Sequence, residues 1–571
     1  MSSHSFSDLN KQLETIKAQK LEKCEKQAEI QTVNVVNTVR IKRTKCLDKI
    51  LQFIQLDEHE CKSKQERTRK QQCLHYFIIW LIFVFLVAVT SACFIMWFTN
   101  YYETTLQSNL VLANNTKAKQ WWEKTPIYPL LKVYIFNYTN TEEFLSGQDD
   151  ILRIQEIGPL TYNETGERVE LEHHDDNTIS YRERKHYELI PELSNVDLSK
   201  PVIVPNVLSI IADTKVGQLN VFEKIMPKLV LRPSISPFKT LNATEFLWGY
   251  DDPILHLQKL QSFISGDTSI KVDKLFGIIR TKNGTSLDKY RINTGENDIS
   301  KLGVIVSFND NERLEHYKVD SCNEINGTDG SQFPPHLVAD KSDLHIFINT
   351  LCRKFPLVFE KEVTVFNGIP ALRYKNPENV FSHPDENPDN RCYCEGGDCP
   401  PSGVFDLSKC IFDMPILASF PHFYQGNESL WKNFDGIRPE KEKHETYADI
   451  HGKLAFPLSG VSRFQINIKL PKKTEFPNDF AQFHNPRRNH TYDILPLVWM
   501  EITGGDIPIE FQEIIYHSTF TVNVFESNVR YGTVIIIIVS FLLFLTLFFV
   551  CKRRPEPEME VTYIHETVHI S

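Results

Sequence analysis

Four cysteines lie within the nineteen residues of CYCEGGDCPPSGVFDLSKC (392–410), at spacings that could support three kinds of chemistry. Cysteines placed in this way can bind zinc, take part in redox exchange or form structural disulfide bonds. The choice depends on the compartment, because disulfides persist outside the cytosol and are rare within it. The position of this stretch relative to a membrane therefore has to be established first.

Other motifs with catalytic or metal-binding residue types are weaker. HETVH (565–569) matches the HExxH pattern of zinc peptidases, but it lies in a short tail with no third ligand nearby. HHDD (173–176) precedes a predicted hairpin turn, and His422 lies among aromatic residues, as a packed side chain would. There is no GxSxG, P-loop or GxGxxG pattern, so we predict no catalytic residue, no metal site and no cofactor.

Two uncharged apolar runs, 77–98 and 531–551, are long enough to cross a bilayer as helices. Basic residues flank both runs on the sides away from the intervening region: Arg67, Arg69, Lys70, Lys552, Arg553 and Arg554. Positive flanks favour the cytosolic side of a membrane. We therefore predict cytosolic tails at 1–76 and 552–571, with a large extracellular or lumenal domain at 99–530.

The N-glycosylation sequons agree with this topology. All eight lie between the two apolar runs, at Asn114, Asn137, Asn163, Asn242, Asn283, Asn326, Asn427 and Asn489. One sequon alone is a weak signal, but the confinement of all of them to the predicted outer domain supports its exposure to the glycosylation machinery.

The cysteines can now be sorted by compartment. Six lie in the outer domain: Cys322, Cys352, Cys392, Cys394, Cys399 and Cys410. An even number in an oxidising compartment predicts three disulfide bonds rather than a zinc site, although six cysteines allow fifteen pairings and the residues alone do not choose among them. Cys73 and Cys551 lie at the cytosolic membrane boundary and are candidates for S-palmitoylation.

The outer domain has the pattern of an α+β fold with a mainly antiparallel sheet. Alternating runs predict strands at 130–139, 177–189, 302–308 and 461–470. Helical spacing predicts one helix from Asn206 to about Val230, and short helices at 242–250 and 341–352. No alternation of strands with crossover helices is present, which argues against a parallel sheet.

The order of several motifs resembles that of the class B scavenger receptor family, a group of fatty-acid and lipoprotein receptors that also includes a lysosomal membrane protein. The resemblance covers residues 120–550. The motifs that carry it are WEKTPIYPLLKVYIFNYTNTEEFLSG (122–147), EIGPLTY (156–162), EFLWGYDDPIL (245–255), DSCNEINGTDGSQFPP (320–335), the cysteine-rich stretch, ASFPHFY (418–424) and LPLVWMEI (495–502).

The resemblance implies a disulfide pattern and an architecture. The implied pairs are Cys322–Cys392, Cys352–Cys410 and Cys394–Cys399. The implied fold is an antiparallel β-barrel core with an apical helical bundle and a hydrophobic tunnel that leads toward the bilayer. The family's ligand-capture surface corresponds to residues 206–248, where Lys224, Lys228 and Arg232 recur every four residues and would share one helix face.

The function that this resemblance implies is a scavenger receptor that binds fatty acids, sterols, phospholipids or lipoproteins and transfers lipid to the membrane. Alternatives are a lysosomal or trafficking receptor for a protein ligand, and an adhesion or pathogen-recognition receptor. The C-terminal tail lacks an acidic dileucine signal, which favours the plasma membrane over the lysosomal membrane. The residues indicate no nucleic acid partner and leave homo-oligomerisation open.

The topology leads to a direct test. Epitope tags at either end of the chain should be stained by antibody only after cells are permeabilised, whereas a tag inserted in the outer domain should be stained on intact cells. Staining of a terminal tag on intact cells would contradict the predicted orientation.

Overall fold

The computed structural model describes residues 74–99, 101–198, 200–256, 274–366, 368–394, 397, 399–486, 491–505 and 507–553. Both predicted tails, apart from the residues next to the helices, lie outside these ranges. The same is true of Cys73, Asn489 and the HETVH motif. The helices are α1 (Leu74–Phe98), α2 (Tyr101–Ser108), α3 (Lys117–Glu123), α4 (Thr141–Ser146), α5 (Val207–Gln218), α6 (Ile225–Leu231), α7 (Ala243–Trp248), α8 (Pro335–Ala339), α9 (Lys441–His444), α10 (Pro477–Phe480), α11 (Ile509–Tyr516) and α12 (Val522–Arg553).

Sixteen strands are present among the described residues. They are β1 (Leu130–Tyr138), β2 (Leu152–His174), β3 (Thr178–Leu189), β4 (Pro201–Pro205), β5 (Phe238–Asn242), β6 (Gly284–Asn293), β7 (Ile305–Phe308), β8 (Leu344–Ile348), β9 (Arg353–Val365), β10 (Ile369–Lys375), β11 (Val404–Asp406), β12 (Ile416–Ser419), β13 (Phe434–Asp435), β14 (Tyr447–Ile450), β15 (Pro457–Lys469) and β16 (Ile494–Thr503).

Residues 74–93 of the first long apolar helix and residues 532–553 of the second belong to one compact unit of the chain. The predicted spans 77–98 and 531–551 lie within α1 and α12. Their most apolar windows are not buried in protein, which suits helices that face lipid. The rings of Phe83 and Phe544 lie 6.3 Å apart, so the two spans contact each other. The chain therefore has two helices that are long and apolar enough to cross a membrane.

Residues 94–531 form the second unit, and its fold is the predicted mixture of helices and antiparallel sheet. One large sheet has the order β7-β6-β3-β2-β1-β16-β15-β14-β10-β9-β8, while β4 and β5 pair separately. The largest core lies between the central strands and helices α4, α5 and α7. It includes Val133, Leu160, Leu497, Phe144, Ile210 and Phe246.

The implied barrel is only approximate. Among the described residues, β7 and β8 end the strand order and do not pair with each other. Gly327 and Thr328 lie between them: the Ile305 N–H donates to the Gly327 carbonyl at 2.9 Å, and the Thr328 N–H donates to the His345 carbonyl at 2.9 Å. A two-residue segment thus links the ends of an open sheet by backbone hydrogen bonds.

Two helix predictions were wrong in detail. The helix predicted from Asn206 to about Val230 is interrupted, because Leu219 is extended (ψ 156°) and the Asn220 side chain accepts the Glu223 N–H, as a new cap does. The segment 341–352, predicted as a helix, contains strand β8 instead. Its apolar residues pair along β9, a long-range contact that overrides local propensity. The short helix predicted at 242–250 is confirmed as α7.

The six cysteines of the outer domain form three disulfide bonds. The bonds join Cys322 to Cys392, Cys352 to Cys410 and Cys394 to Cys399, with Cα–Cα distances of 6.0, 5.8 and 5.3 Å. These are the pairs that the family resemblance implies. The first two close chain segments of 70 and 58 residues, so they hold Cys392 and Cys410 against a 3₁₀ segment after β7 (Asp320–Asn323) and the turn before β9.

The close approach at Gly327 should make this residue sensitive to substitution. A Cβ there would lie 2.9 Å from the His345 carbonyl oxygen and 3.0 Å from the Phe347 nitrogen, both backbone atoms. We expect Gly327→Ala to destabilise the protein by roughly 1–3 kcal/mol, the usual range for overpacking. The measurement is the thermal unfolding of the full-length protein in detergent.

Gly504→Ala is the matched control, because a Cβ at Gly504 meets nothing within 4 Å. It should leave the melting temperature almost unchanged. Equal melting temperatures for the two variants would show that the Gly327 contact does not constrain the sheet ends.

Candidate ligand-contact surface

Helix α6 and the turn before it expose a cluster of large apolar side chains. No residue of α6 is buried, and the Phe222 side chain before it is 86% exposed. We call the cluster the apolar patch. It consists of Val221, Phe222, Ile225, Met226, Leu229 and Val230. Contiguous exposed apolar side chains on a folded domain mark a surface that contacts another molecule.

The local sequence explains why this short helix forms. Asn206 caps α5 by accepting the Ser209 N–H, as its position predicts. After α5 ends, the extended Leu219 and the Asn220 cap start a new turn in a different direction. Pro227 occupies the first turn of α6, where its missing N–H costs no hydrogen bond. Pro233 follows the last turn, in a short 3₁₀ segment.

Two of the three predicted basic residues hold α6 in place. Lys224 Nζ and Lys228 Nζ contact the two carboxylate oxygens of Glu475, at 2.7 and 3.0 Å. The predicted basic face is therefore largely directed at the protein's own carboxylate. Arg232 is exposed at the end of α6 and forms no part of this cluster.

Glu475 connects α6 to α5 as well. Its backbone N–H donates to Asp213 of α5 at 2.7 Å, and the Thr474 hydroxyl donates to the same carboxylate. Hydrogen bonds from Lys224 and Lys228 lower the pKa of Glu475, whereas burial raises the pKa of Asp213. This ionic contact attaches α6 to the domain together with Leu231, the last residue of the helix, which is partly buried against the main core.

A second polar cluster, which the sequence indicated only through His422, lies among β2, β16 and the turn after β12. His422 is buried, and its Nδ1 accepts the Arg438 N–H, so its Nε2 donates to Glu156 at 2.7 Å. The Trp499 indole also donates to Glu156. His422 is thus held by its neighbours on both ring nitrogens, as the prediction of a packed structural histidine requires.

His444 stacks on His422 with ring centroids 4.5 Å apart and an angle of 6° between the rings. Burial, together with the neighbouring His422, lowers the pKa of His444 to about 3, so this ring is neutral at physiological pH. Burial would raise the pKa of Glu156, but hydrogen bonds from His422 and Trp499 lower it. The cluster joins distant strands and loops by hydrogen bonds and stacking.

A cleft of about 430 Å³ lies between the β9–β10 hairpin and the helical segment that precedes α12. Apolar side chains on its β10 wall face polar ones, including Thr519 and Asn523. His451 Nε2 lies 2.7 Å from the Thr519 hydroxyl, at a π-helical turn (His517–Thr521) between α11 and α12. Burial lowers the pKa of His451 to about 4, so the ring is neutral at pH 7.

The predicted glycosylation sites differ in exposure. Those whose side chains are exposed are Asn114, Asn242, Asn283, Asn326 and Asn427. Asn137 and Asn163 are only partly exposed, and the Asn137 side chain on β1 accepts the N–H of Ile203 on β4. Cys551 lies in α12. Glycosylation and palmitoylation stay predictions.

The contacts of Glu475 predict the stability of α6. We expect Glu475→Gln to increase amide hydrogen exchange in α6 roughly 5- to 30-fold at pH 7, because two partly exposed ion pairs contribute about 1–2 kcal/mol together. The pKa of Glu475 is lowered in the folded protein. The stabilisation of α6 by its ion pairs is therefore fully present above the ordinary glutamate pKa, and it is lost only as the pH falls through the lowered pKa. Wild-type protection should therefore be similar at pH 7 and pH 5.5.

Glu362→Gln is the control for this measurement, because Glu362 pairs with Lys341 on an exposed part of β9. It should leave exchange in α6 unchanged. If Glu475→Gln also leaves it unchanged, the ion pairs do not hold the helix.

Comparison with known proteins identifies the family. The model of the CD36 family matches residues 80–548. Lysosome membrane protein 2 of Mus musculus is 33% identical over 410 residues, which cover 71% of this chain and 82% of that protein. Scavenger receptor class B member 1 of Bos taurus is 27% identical, covering 74% and 79%. Sensory neuron membrane protein 1 of Bombyx mori is 30% identical, covering 69% and 76%. The chain belongs to the CD36 family of membrane proteins, as its motif order predicted.

Proposed function

We propose that this protein is a receptor that binds lipids or lipoproteins through the apolar patch and passes lipid toward the membrane. The observation that carries the proposal is the patch itself. A helix that buries none of its residues, with its apolar side chains in water, is unfavourable unless a ligand covers it. Scavenger receptor class B member 1, a relative of this chain, has a name that supports a receptor role.

Lipid is the chemistry that suits the patch. Its exposed side chains are aliphatic, aromatic or, at Met226, a thioether, while Arg232 lies exposed at the end of α6. Burial of each methylene group contributes about 0.8 kcal/mol, so several such side chains can bind an acyl-chain surface without a defined pocket. An exposed arginine at the edge suits fatty-acid carboxylates or phospholipid phosphates.

The second part of the proposal is the transfer of bound lipid toward the membrane. A lipid tail that crosses water loses favourable burial for every methylene group, so an apolar route lowers the barrier to transfer. The cleft beside the segment that leads into α12 supports such a route, since its β10 wall is apolar. The proposed work is done by apolar surface and not by a catalytic group.

A second candidate is a receptor for a protein ligand at the lysosomal membrane. The similarity to lysosome membrane protein 2, at 33% identity, supports the lysosomal location. In that case the apolar patch would contact an apolar surface of the ligand protein. We propose the plasma membrane as the main location and the lysosomal membrane as the alternative, and surface biotinylation of intact cells distinguishes the two.

The lipid proposal predicts a loss of uptake when the patch is made polar. We expect Phe222→Asp to reduce binding of labelled lipoprotein particles, and lipid uptake from them, by roughly tenfold or more in cells that express the full-length protein. Phe222 is almost fully exposed, so the fold should tolerate the change. Surface expression of each variant is measured in parallel.

Leu287→Asp is the matched control, because Leu287 is 88% exposed but lies on β6, outside the patch. It should bind and take up lipid as the wild type does. If Phe222→Asp also behaves like the wild type, the patch is not the lipid-binding surface. If neither the wild type nor a variant takes up lipid, the protein-ligand candidate is favoured.

A further inference from the structure

Phe412 is a second large apolar side chain that the fold leaves in water. It lies in the turn between β11 and β12, two residues after Cys410, and it is 85% exposed. Its neighbour Ile411 packs against a core that includes Phe405 and Leu407. Of two adjacent apolar residues in this turn, one is therefore used in the core and the other is presented to solvent.

The backbone conformation that presents Phe412 is an unusual one. Phe412 and Asp413 have φ values of 56° and 53°, in the left-handed region that bulky residues avoid. Non-glycine residues persist there only when the surroundings hold them, and they cluster at functional sites. Asparagine or glycine would adopt this conformation more readily than phenylalanine does.

The surroundings do hold this turn. The Cys410 N–H donates to the Leu407 carbonyl and the Asp413 N–H to the Ser408 carbonyl, each at 2.8 Å. The Cys352–Cys410 bond attaches the turn to the chain before β9. Lys409, which is about half exposed, lies 3.7 Å from Asp413. The backbone that carries Phe412 is thus held by the disulfide-bonded region.

A direct contact joins this turn to α5, the helix that precedes the apolar patch in the chain. Lys215 Nζ, in the last turn of α5, donates to the Phe412 carbonyl at 2.6 Å. Residues 216–218 continue α5 after Lys215, and residues 219–222 then lead to Phe222. This length of chain keeps the Cα atoms of Lys215 and Phe222 at most about 20 Å apart. Phe412 therefore lies at the same end of α5 as the apolar patch.

We propose that Phe412 is a second lipid-contacting residue, which inserts into the same phospholipid surface as the apolar patch. This inference rests on the proposed lipid-binding function and adds a contact from a separate segment of the chain. The cysteine-rich region then has a part in binding, since its disulfide bond and turn hold the aromatic ring at the surface.

An extended lipid surface explains the arrangement better than a single bound molecule. Phe412 and the patch lie on different segments of the chain, and a phospholipid layer can contact both at once. Aromatic side chains suit the boundary between headgroups and acyl chains. Lys409, whose side chain is about half exposed three residues before Phe412, suits the phosphate groups of that boundary.

The test measures how tightly the full-length protein, immobilised in detergent, binds vesicles of phosphatidylcholine with phosphatidylserine. We expect Phe412→Asn to weaken vesicle binding roughly tenfold while its melting temperature stays equal or rises, because asparagine tolerates the left-handed conformation. Leu287→Asn is the control at an equally exposed position and should bind vesicles as the wild type does. Wild-type vesicle affinity for Phe412→Asn would overturn the inference.

Two further measurements separate the possible results. In Phe412→Trp, the added indole fluorescence should be quenched by brominated acyl chains, and absence of quenching would overturn the inference even if Phe412→Asn bound weakly. Phe222→Asp is measured in parallel. If it loses vesicle binding while Phe412→Asn keeps it, the proposed function stands and the inference fails. If the wild-type protein does not bind vesicles at all, both fail, and a protein ligand is indicated.

Discussion

The antiparallel pairing of β1 with β16 is the contact on which the outer domain depends. β1 is the first strand of the domain and β16 the last, and Leu130 at the start of β1 lies opposite Thr503 at the end of β16. The chain therefore enters and leaves the sheet at neighbouring positions. Lys132 of β1 binds Glu501 of β16 at 2.8 Å, and Arg463 of β15 binds the same carboxylate. All other strands of the large sheet extend from this central pair to either side.

The candidate ligand surface is built differently from the sheet. The strands are held by ladders of backbone hydrogen bonds and by a buried core, whereas α6 has no fully buried side chain and is attached through Glu475 and the partly buried Leu231. An ionic attachment leaves the apolar side of the helix free to face a ligand. Lys224 and Lys228 therefore position the apolar patch and do not present a basic face to solvent.

The cysteine-rich region also gains a more specific role in the structure. Compartment alone argued for disulfide bonds over zinc, and the bonds stabilise a region that is rich in turns and poor in regular strands. One of these bonds lies directly before the turn that exposes Phe412. The region that looked like a scaffold at the level of sequence also carries one of the most exposed aromatic side chains of the domain.

Features that depend on neighbouring residues were predictable from the sequence. The two spans follow from uncharged length, β1 from its alternating residues, and the start of α5 from the capping side chain of Asn206. The family followed from motif order. Only the tertiary structure decided that Glu475 pairs with lysines some 250 residues earlier, that β8 is a strand and that Gly327 links the sheet ends. These features depend on groups far apart in the chain, whose approach is set by packing and by backbone hydrogen bonds that no local pattern records.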